Sequence, residues 1–281
     1  MIMKQTLIAL AILAVSGAAQ AQTYEVVSDK AGVVNLVNLG PTTVGGFHGP
    51  IGAPGIAAAG TSDYISLQSI ESFTHVSALD QTLAGTSTNW VFTYHQLAPG
   101  FIHTEPEHEG EEPLAVGLDG IKIPGLAKSV YFGIASADSA TPGLVDHQAW
   151  YVGDKKDRVL PSSSTDYVGV ALVATPSTAV NAPSVLPGQL TVSSGATSIS
   201  GQFTAGSGTG KQTLEIAATG GAVFSGTAKY YVGTTAPGAT NGTSQGQFFG
   251  DAAANASALA GVASGTYLGT GYVASFGARQ K

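Results

Sequence analysis

The rhythm of the second half of this chain restricts its fold more than any other feature. Short runs of β-branched, aromatic and polar residues recur at 167–173, 189–192, 198–203 and 212–216, with Gly, Ser, Thr, Asn and Pro gathered between them. Further runs follow at 222–232, 246–249 and 261–276. Turn residues at that spacing leave little room for helices and predict antiparallel strands in a sandwich or barrel. Gly169, Gly201 and Gly226 fall inside runs, as the bends and bulges of a small closed barrel do. About eight strands are expected, a number whose interior side chains fill the barrel. One short helix is expected in this half, over residues 251–260, with Asp251 capping its start.

The first half reads differently. Strand-like runs at 32–37 and 89–94 are separated by long Gly/Pro/Ala connections. The loop at 40–60 is nearly uncharged and apolar wherever it is not Gly or Pro, which predicts that it lies against an apolar surface. Loops of this kind, carried on a rigid scaffold, are where function concentrates.

At the start, Lys4 precedes an apolar run at 7–15 and a small-residue stretch ending in Ala19-Gln20-Ala21, the three regions of a secretory signal. The mature chain is expected to begin at Gln22. No later stretch approaches the roughly 18 uninterrupted apolar residues of a spanning helix. The absence of cysteine removes both a thiol for lipid attachment and a disulfide framework. The chain holds 11 basic and 18 acidic residues, and loss of Lys4 with the signal leaves 10 against 18. That balance argues against nucleic acid as a partner, because phosphate binding needs clustered Lys and Arg. The expected layout is a signal peptide at 1–21, an N-terminal ligand-binding domain at 22–147 and a barrel domain at 148–281. The signal predicts export across a bacterial inner membrane and a place of work outside the cytoplasm.

Two passages carry a family resemblance. Gly246-Gln247-Phe248-Phe249-Gly250-Asp251-Ala252-Ala253, continuing through Leu259-Ala260-Gly261-Val262, resembles the G-x-F-Y-G-P-x-A-x-E-x-G-G motif of the transferrin-binding-protein-B-like barrel group, which includes factor-H-binding protein. Asp251 stands where that group has Pro, and Asn255 where it has Glu. Ala149-Trp150-Tyr151-Val152-Gly153-Asp154, with Pro161 and Tyr167-Val168-Gly169, resembles the strand that opens the same barrel. Together the passages reach from Ala149 to Val262. The whole arrangement is similar to the hemophilins, secreted heme-binding cargo of the surface lipoprotein assembly modulator (Slam). The resemblance implies an all-β chain in which an irregular, handle-like N-terminal domain grips heme. It further implies an eight-stranded antiparallel C-terminal barrel that serves export through a Slam-type translocator and docking to an outer-membrane heme receptor. Host hemoglobin is an implied source of the heme.

All six histidines, His48, His75, His95, His103, His108 and His147, fall at or before the proposed junction. Neutral imidazole ligates heme iron within an apolar pocket. His48 sits among Phe47, Pro50 and Ile51, and His103 follows Phe101 and Ile102, so two apolar loops are available to close on the faces of a flat ring. His48 and His103 are the candidate iron ligands, with Phe47, Ile51 and Phe101 lining the ring. The plainer reading makes both ordinary turn histidines. Tyr64, Tyr94 and Lys122 are candidates for the propionates. His103 and His108, beside Glu105, Glu107, Glu109, Glu111 and Glu112, also suggest a divalent metal, although the spacing matches no ordered metal motif and a solvated acidic turn is simpler. His75 and His95 lie in strand-like segments, and His147 beside Asp146 reads as a hinge contact. No nucleophile elbow or phosphate loop is present, so no enzyme is expected. The expected function is that of a secreted hemophore serving iron acquisition. The alternative is a secreted or surface-associated factor that binds a host protein through the same scaffold without heme.

Overall fold

In the C-terminal half, the alternation seen in the sequence becomes the two faces of a closed sheet. The computed structural model describes residues 37–43, 51–52, 54–58, 62, 64–66, 77–81, 90–97, 130–137, 146–153, 158–178, 183–251 and 256–280. Three short strands, β1 (Val37–Pro41), β2 (Pro54–Ala58) and β3 (Ile65–Ser66), form one antiparallel sheet. A second sheet runs in chain order through β4 (Ser77–Gln81), β5 (Trp90–Leu97), β6 (Val130–Ala137) and β7 (Asp146–Gly153). The remaining strands are β8 (Thr165–Ala174), β9 (Ser184–Val192), β10 (Ser198–Ala205), β11 (Gln212–Thr219), β12 (Val223–Val232), β13 (Gly242–Asp251), β14 (Ala256–Tyr267) and β15 (Thr270–Gln280). These eight form the expected antiparallel barrel, closed where β15 pairs with β8.

Inward positions recur at every second residue, as the pleat requires. Tyr167, Leu190, Phe203, Leu214, Phe224, Phe248, Leu259 and Phe276 are all essentially excluded from solvent. The aromatic rings meet edge-on or tilted: Phe248 lies 5.9 Å from Tyr167 and 5.8 Å from Phe224, and Phe276 lies 5.9 Å from Phe203. Such pairs add about 0.5–1.5 kcal/mol each beyond the area they bury. The barrel is therefore a packed core rather than a container.

One wall is buried on both faces. Val130, Phe132 and Ile134 of β6, with Ala149 and Tyr151 of β7, pack on Val170, Leu172, Phe249, Ala258, Ala260, Val262 and Val273 of the barrel's outer side. Tyr151 meets Phe249 edge-on at 6.3 Å, and the Ser275 hydroxyl donates to the Trp150 carbonyl at 2.9 Å. This double burial explains why β8 and β15 read as almost continuous small and apolar runs, while β10 and β11 alternate.

One end of the barrel is sealed by the chain that leads into β8. The Ser257 hydroxyl donates to the Val159 carbonyl at 2.8 Å, Gly195 N–H to the Pro161 carbonyl at 2.7 Å, and Leu160 packs against the interior. Tyr167 completes the seal by donating to the Ser257 hydroxyl at 3.0 Å. Burial pushes the Tyr167 phenol from its ordinary 10.0 up to about 12. The unfolded chain thus releases this proton near pH 10 while the folded chain keeps it to about pH 12, so stability is complete below pH 10 and falls as pH rises between those values. Tyr230 and Tyr272 are raised by burial as well and act with the same sign. Urea midpoints measured from pH 8 to 11 are expected to hold level and then drop, and a level midpoint throughout would contradict this account.

Three sequence expectations are corrected. Residues 256–260 are not helical, because β13 and β14 pair directly from Gly242↔Gly265 to Asp251↔Ala256. Ala258 and Ala260 face the covering sheet while Leu259 faces the interior, and two-sided burial with period two overrides the helix preference of alanine. The run at 261–276 is two strands, turned at Leu268 and Gly269, whose φ values are +50° and +79°. Leucine at the first of these positions hides a turn that Asn or Gly would have announced. Residues 149–153 do not open the barrel: they belong to β7 in the covering sheet, and β8 opens the barrel instead. In addition, the stretch at 40–60 contains β2 rather than a single loop, and of the run at 32–37 only Val37 lies among the described residues.

Candidate functional site

Pro41 paired with Pro54 ends the β1–β2 ladder, since proline has no N–H to extend it. Immediately beyond, Gly52 N–H donates to the Thr42 carbonyl at 2.9 Å and pinches the chain into a neck. Residues 44–50, which include Phe47 and His48, come between these two ends in the sequence and lie outside the described residues. A second tie comes from the side. Thr43 N–H donates to the Tyr64 carbonyl at 3.0 Å, Tyr64 N–H donates to Thr43 Oγ1 at 2.9 Å, and Thr43 Oγ1 donates to the Ser62 carbonyl at 2.8 Å. The Tyr64 ring covers Gly40 so closely that any side chain there would collide with it. Thr42 is buried beneath these contacts, with 1% exposure.

Ile51 stands at the neck with 74% of its surface in solvent. Its neighbours Thr42, Thr43, Gly52, Ser62 and Tyr64 carry no charge. Chemically this is a fixed apolar projection with backbone carbonyls and hydroxyls at its base, suited to contact rather than to proton transfer. Of the residues singled out in the sequence for the ring, Ile51 alone is described, and it projects outward. His48, His103, Phe47 and Phe101 lie outside the described residues, as do the acidic run at 105–112, His75, His108 and Lys122. His95 falls on β5 and His147 on β7, where His147 is buried. Thr43, which does most to fix the neck, carries no sequence signal, because an isolated threonine beside another is ordinary loop composition.

Other places are less suited to a ligand. Among the described residues no three His, Asp or Glu side chains gather as a metal site, and no helix is long and apolar enough to cross a membrane. A cleft bordered by His147, Thr175, Pro176 and Tyr272 holds about 10 Å³, room for about one water and far below the roughly 300 Å³ at which small-molecule pockets begin. The barrel interior is occupied by its own aromatic side chains.

Fold and neck together define a class: a β scaffold made of a filled barrel with a sheet packed on its wall. No family model matches the chain, and no curated protein matches it. Solved structures that resemble it are transferrin-binding proteins B. Intact Ap-TbpB, with its N and C lobes, matches at 15% identity over 78% of this chain and 40% of that one, with a TM-score of 0.46. A single-substitution mutant of the Haemophilus parasuis Hp5 protein matches at 14% identity over 90% and 46%, with a TM-score of 0.45. The isotype 1 protein from serogroup B Neisseria meningitidis matches at 14% identity over 78% and 37%, with a TM-score of 0.42. The chain thus spans less than half the length of each of these proteins.

Proposed function

We propose that this chain is a non-catalytic binding protein that works outside the cytoplasm and grips a protein partner with the loop at 43–51 and its neck. The observation that carries this reading is Ile51, held 74% exposed on a frame tied by Thr42, Thr43 and Tyr64. An apolar contact that is fixed beforehand loses little conformational freedom on docking, which is how small anchors come to dominate an interface. The filled barrel supports the same reading, because it leaves the ligand to the loops.

Purified host transferrin and hemoglobin are the first proteins to try against the immobilised, heme-free chain. Retention of one of them is expected, and Ile51→Asp is expected to weaken it by about 2 kcal/mol, roughly 30-fold in Kd. Equal retention by the variant would remove the neck from the interface. Hemin added to the same material separates the two readings of the loop. A Soret shift at micromolar hemin that is lost in His48→Ala or His103→Ala would assign the loops to heme and the chain to a hemophore. Retention of protein without any Soret shift would assign them to protein binding. In either case export would pass through the signal at 1–21, and a Slam-type translocator and an outer-membrane receptor are the partners to seek.

A further inference from the structure

The end of the barrel away from Ser257, where Tyr230 packs on Tyr267 and Tyr272, contains a chemically unstable step. Asn241-Gly242 is the sole Asn–Gly pair in the chain. At such a pair the glycine nitrogen, unshielded by a Cβ, reaches the asparagine side-chain carbonyl carbon more easily than at other Asn steps. The structure shows why both residues are needed here. Ladder pairing between β12 and β13 stops at Ala228↔Gly242. Beyond it the Asn241 side chain takes the place of a strand: Oδ1 accepts from Tyr230 N–H at 3.0 Å, and Nδ2 donates to the Tyr230 carbonyl at 2.6 Å. The Tyr272 hydroxyl donates to the same Oδ1 at 3.3 Å. Asn241 N–H donates to the Ala228 carbonyl at 3.3 Å, and Thr266 N–H donates to the Asn241 carbonyl at 2.8 Å. One residue therefore clasps β12, β14 and β15. Gly242 is equally fixed, since a Cβ there would fall on the Tyr272 hydroxyl and the Ser264 carbonyl oxygen.

We propose that Asn241 is a modification site, deamidating spontaneously before the barrel closes or whenever its mouth opens, and protected while the clasp is formed. Gly242 N, giving up its proton to solvent base, attacks Asn241 Cγ. The new N–Cγ bond closes a succinimide, the Cγ–Nδ2 bond breaks, and the nitrogen leaves as ammonia. Water then opens the ring at one carbonyl or the other and leaves aspartate or isoaspartate, with no oxidant or reductant involved. In the clasp both side-chain atoms are held by Tyr230, so the attack waits for that segment to open. Afterwards the clasp cannot be rebuilt as before. Aspartate has no N–H for the Tyr230 carbonyl and sets a carboxylate oxygen against it, while isoaspartate lengthens the backbone between the bonds to Ala228 and Thr266.

The purified chain, incubated at mildly alkaline pH either folded or unfolded in urea and then followed by peptide mass mapping, tests this directly. Conversion at Asn241 is expected in urea and is expected to be slower in the folded chain by roughly tenfold or more, because reaction then proceeds only through the open fraction. Equal rates in the two states would overturn the proposal, as would conversion at Asn255 ahead of Asn241 in urea. Asn241→Asp, which installs the main-chain-normal product, should melt at a lower temperature than the parent. An unchanged melting temperature would mean that the clasp is dispensable and would equally overturn it.

Discussion

Replacing Phe248 with alanine should cost the barrel about 3–5 kcal/mol, the range for removing a fully buried ring from a core that cannot collapse. Phe248 has no solvent exposure and forms the corner between Tyr167 and Phe224, to which it presents ring contacts at 5.9 and 5.8 Å. Its strand is paired on both sides, to β12 at Val223 through Ala228 and to β14 along its full length, so the backbone cannot move in to fill the gap. The loss would reach one further ring, because Phe224 also packs on Phe276 at 6.4 Å. Urea unfolding followed by tyrosine and tryptophan fluorescence would measure it. A loss below about 1 kcal/mol would mean that the interior is loosely filled and could admit a ligand after all. The site gives the contrast: Ile51→Ala trims a side chain that is 74% exposed and should leave stability within about 0.5 kcal/mol. The barrel and the loop are thus separable by mutation, one carrying stability and the other contact.

How much of this was legible in the sequence depends on the kind of residue involved. Strands such as β10 and β11 face the core on one side and solvent on the other, and their period of two was visible residue by residue. The strand count followed from turn residues at even spacing. Where the barrel is covered, the signal changed meaning. β14 begins Ala256-Ser257-Ala258-Leu259-Ala260, small on both faces because one face meets the interior and the other meets β6 and β7, and small residues without alternation read as a helix. The covering sheet misled in the same way: Tyr151 looks like a core residue of a barrel strand, yet the core it serves lies between the barrel wall and a second sheet. At the site, Ile51 was legible as an apolar residue in a Gly/Pro loop. The hydrogen bonds of Thr43 to Ser62 and Tyr64 join positions about twenty residues apart, and no local pattern encodes such a tie.

The seam of the barrel offers the sharpest prediction about the fold, because a single methyl group placed there has nowhere to go. Gly169 on β8 pairs with Ala278 across the closing β8–β15 ladder and with Gly188 across the β8–β9 ladder, and Gly188 in turn faces Phe203. This row crosses the interior with a large ring on one side and two glycines on the other, small set against large as dense packing requires. A Cβ on Gly169 would press on the Gly277 carbonyl oxygen and stand 2.6 Å from Ala278 Cα, so the obstacle is backbone that belongs to the closing ladder itself. Side chains give way by changing rotamer, but a ladder gives way only by losing hydrogen bonds. Gly169→Ala is therefore expected to cost about 3 kcal/mol or more, and Gly169→Val to prevent cooperative folding. Gly210→Ala, with open space where its methyl would lie, is the matched control and should change stability by less than about 0.5 kcal/mol. Thermal unfolding followed by circular dichroism distinguishes the cases. If Gly169→Ala melts with the parent, then β8 and β15 do not close the barrel in solution, and the scaffold that holds the binding loops would have to be an open sheet.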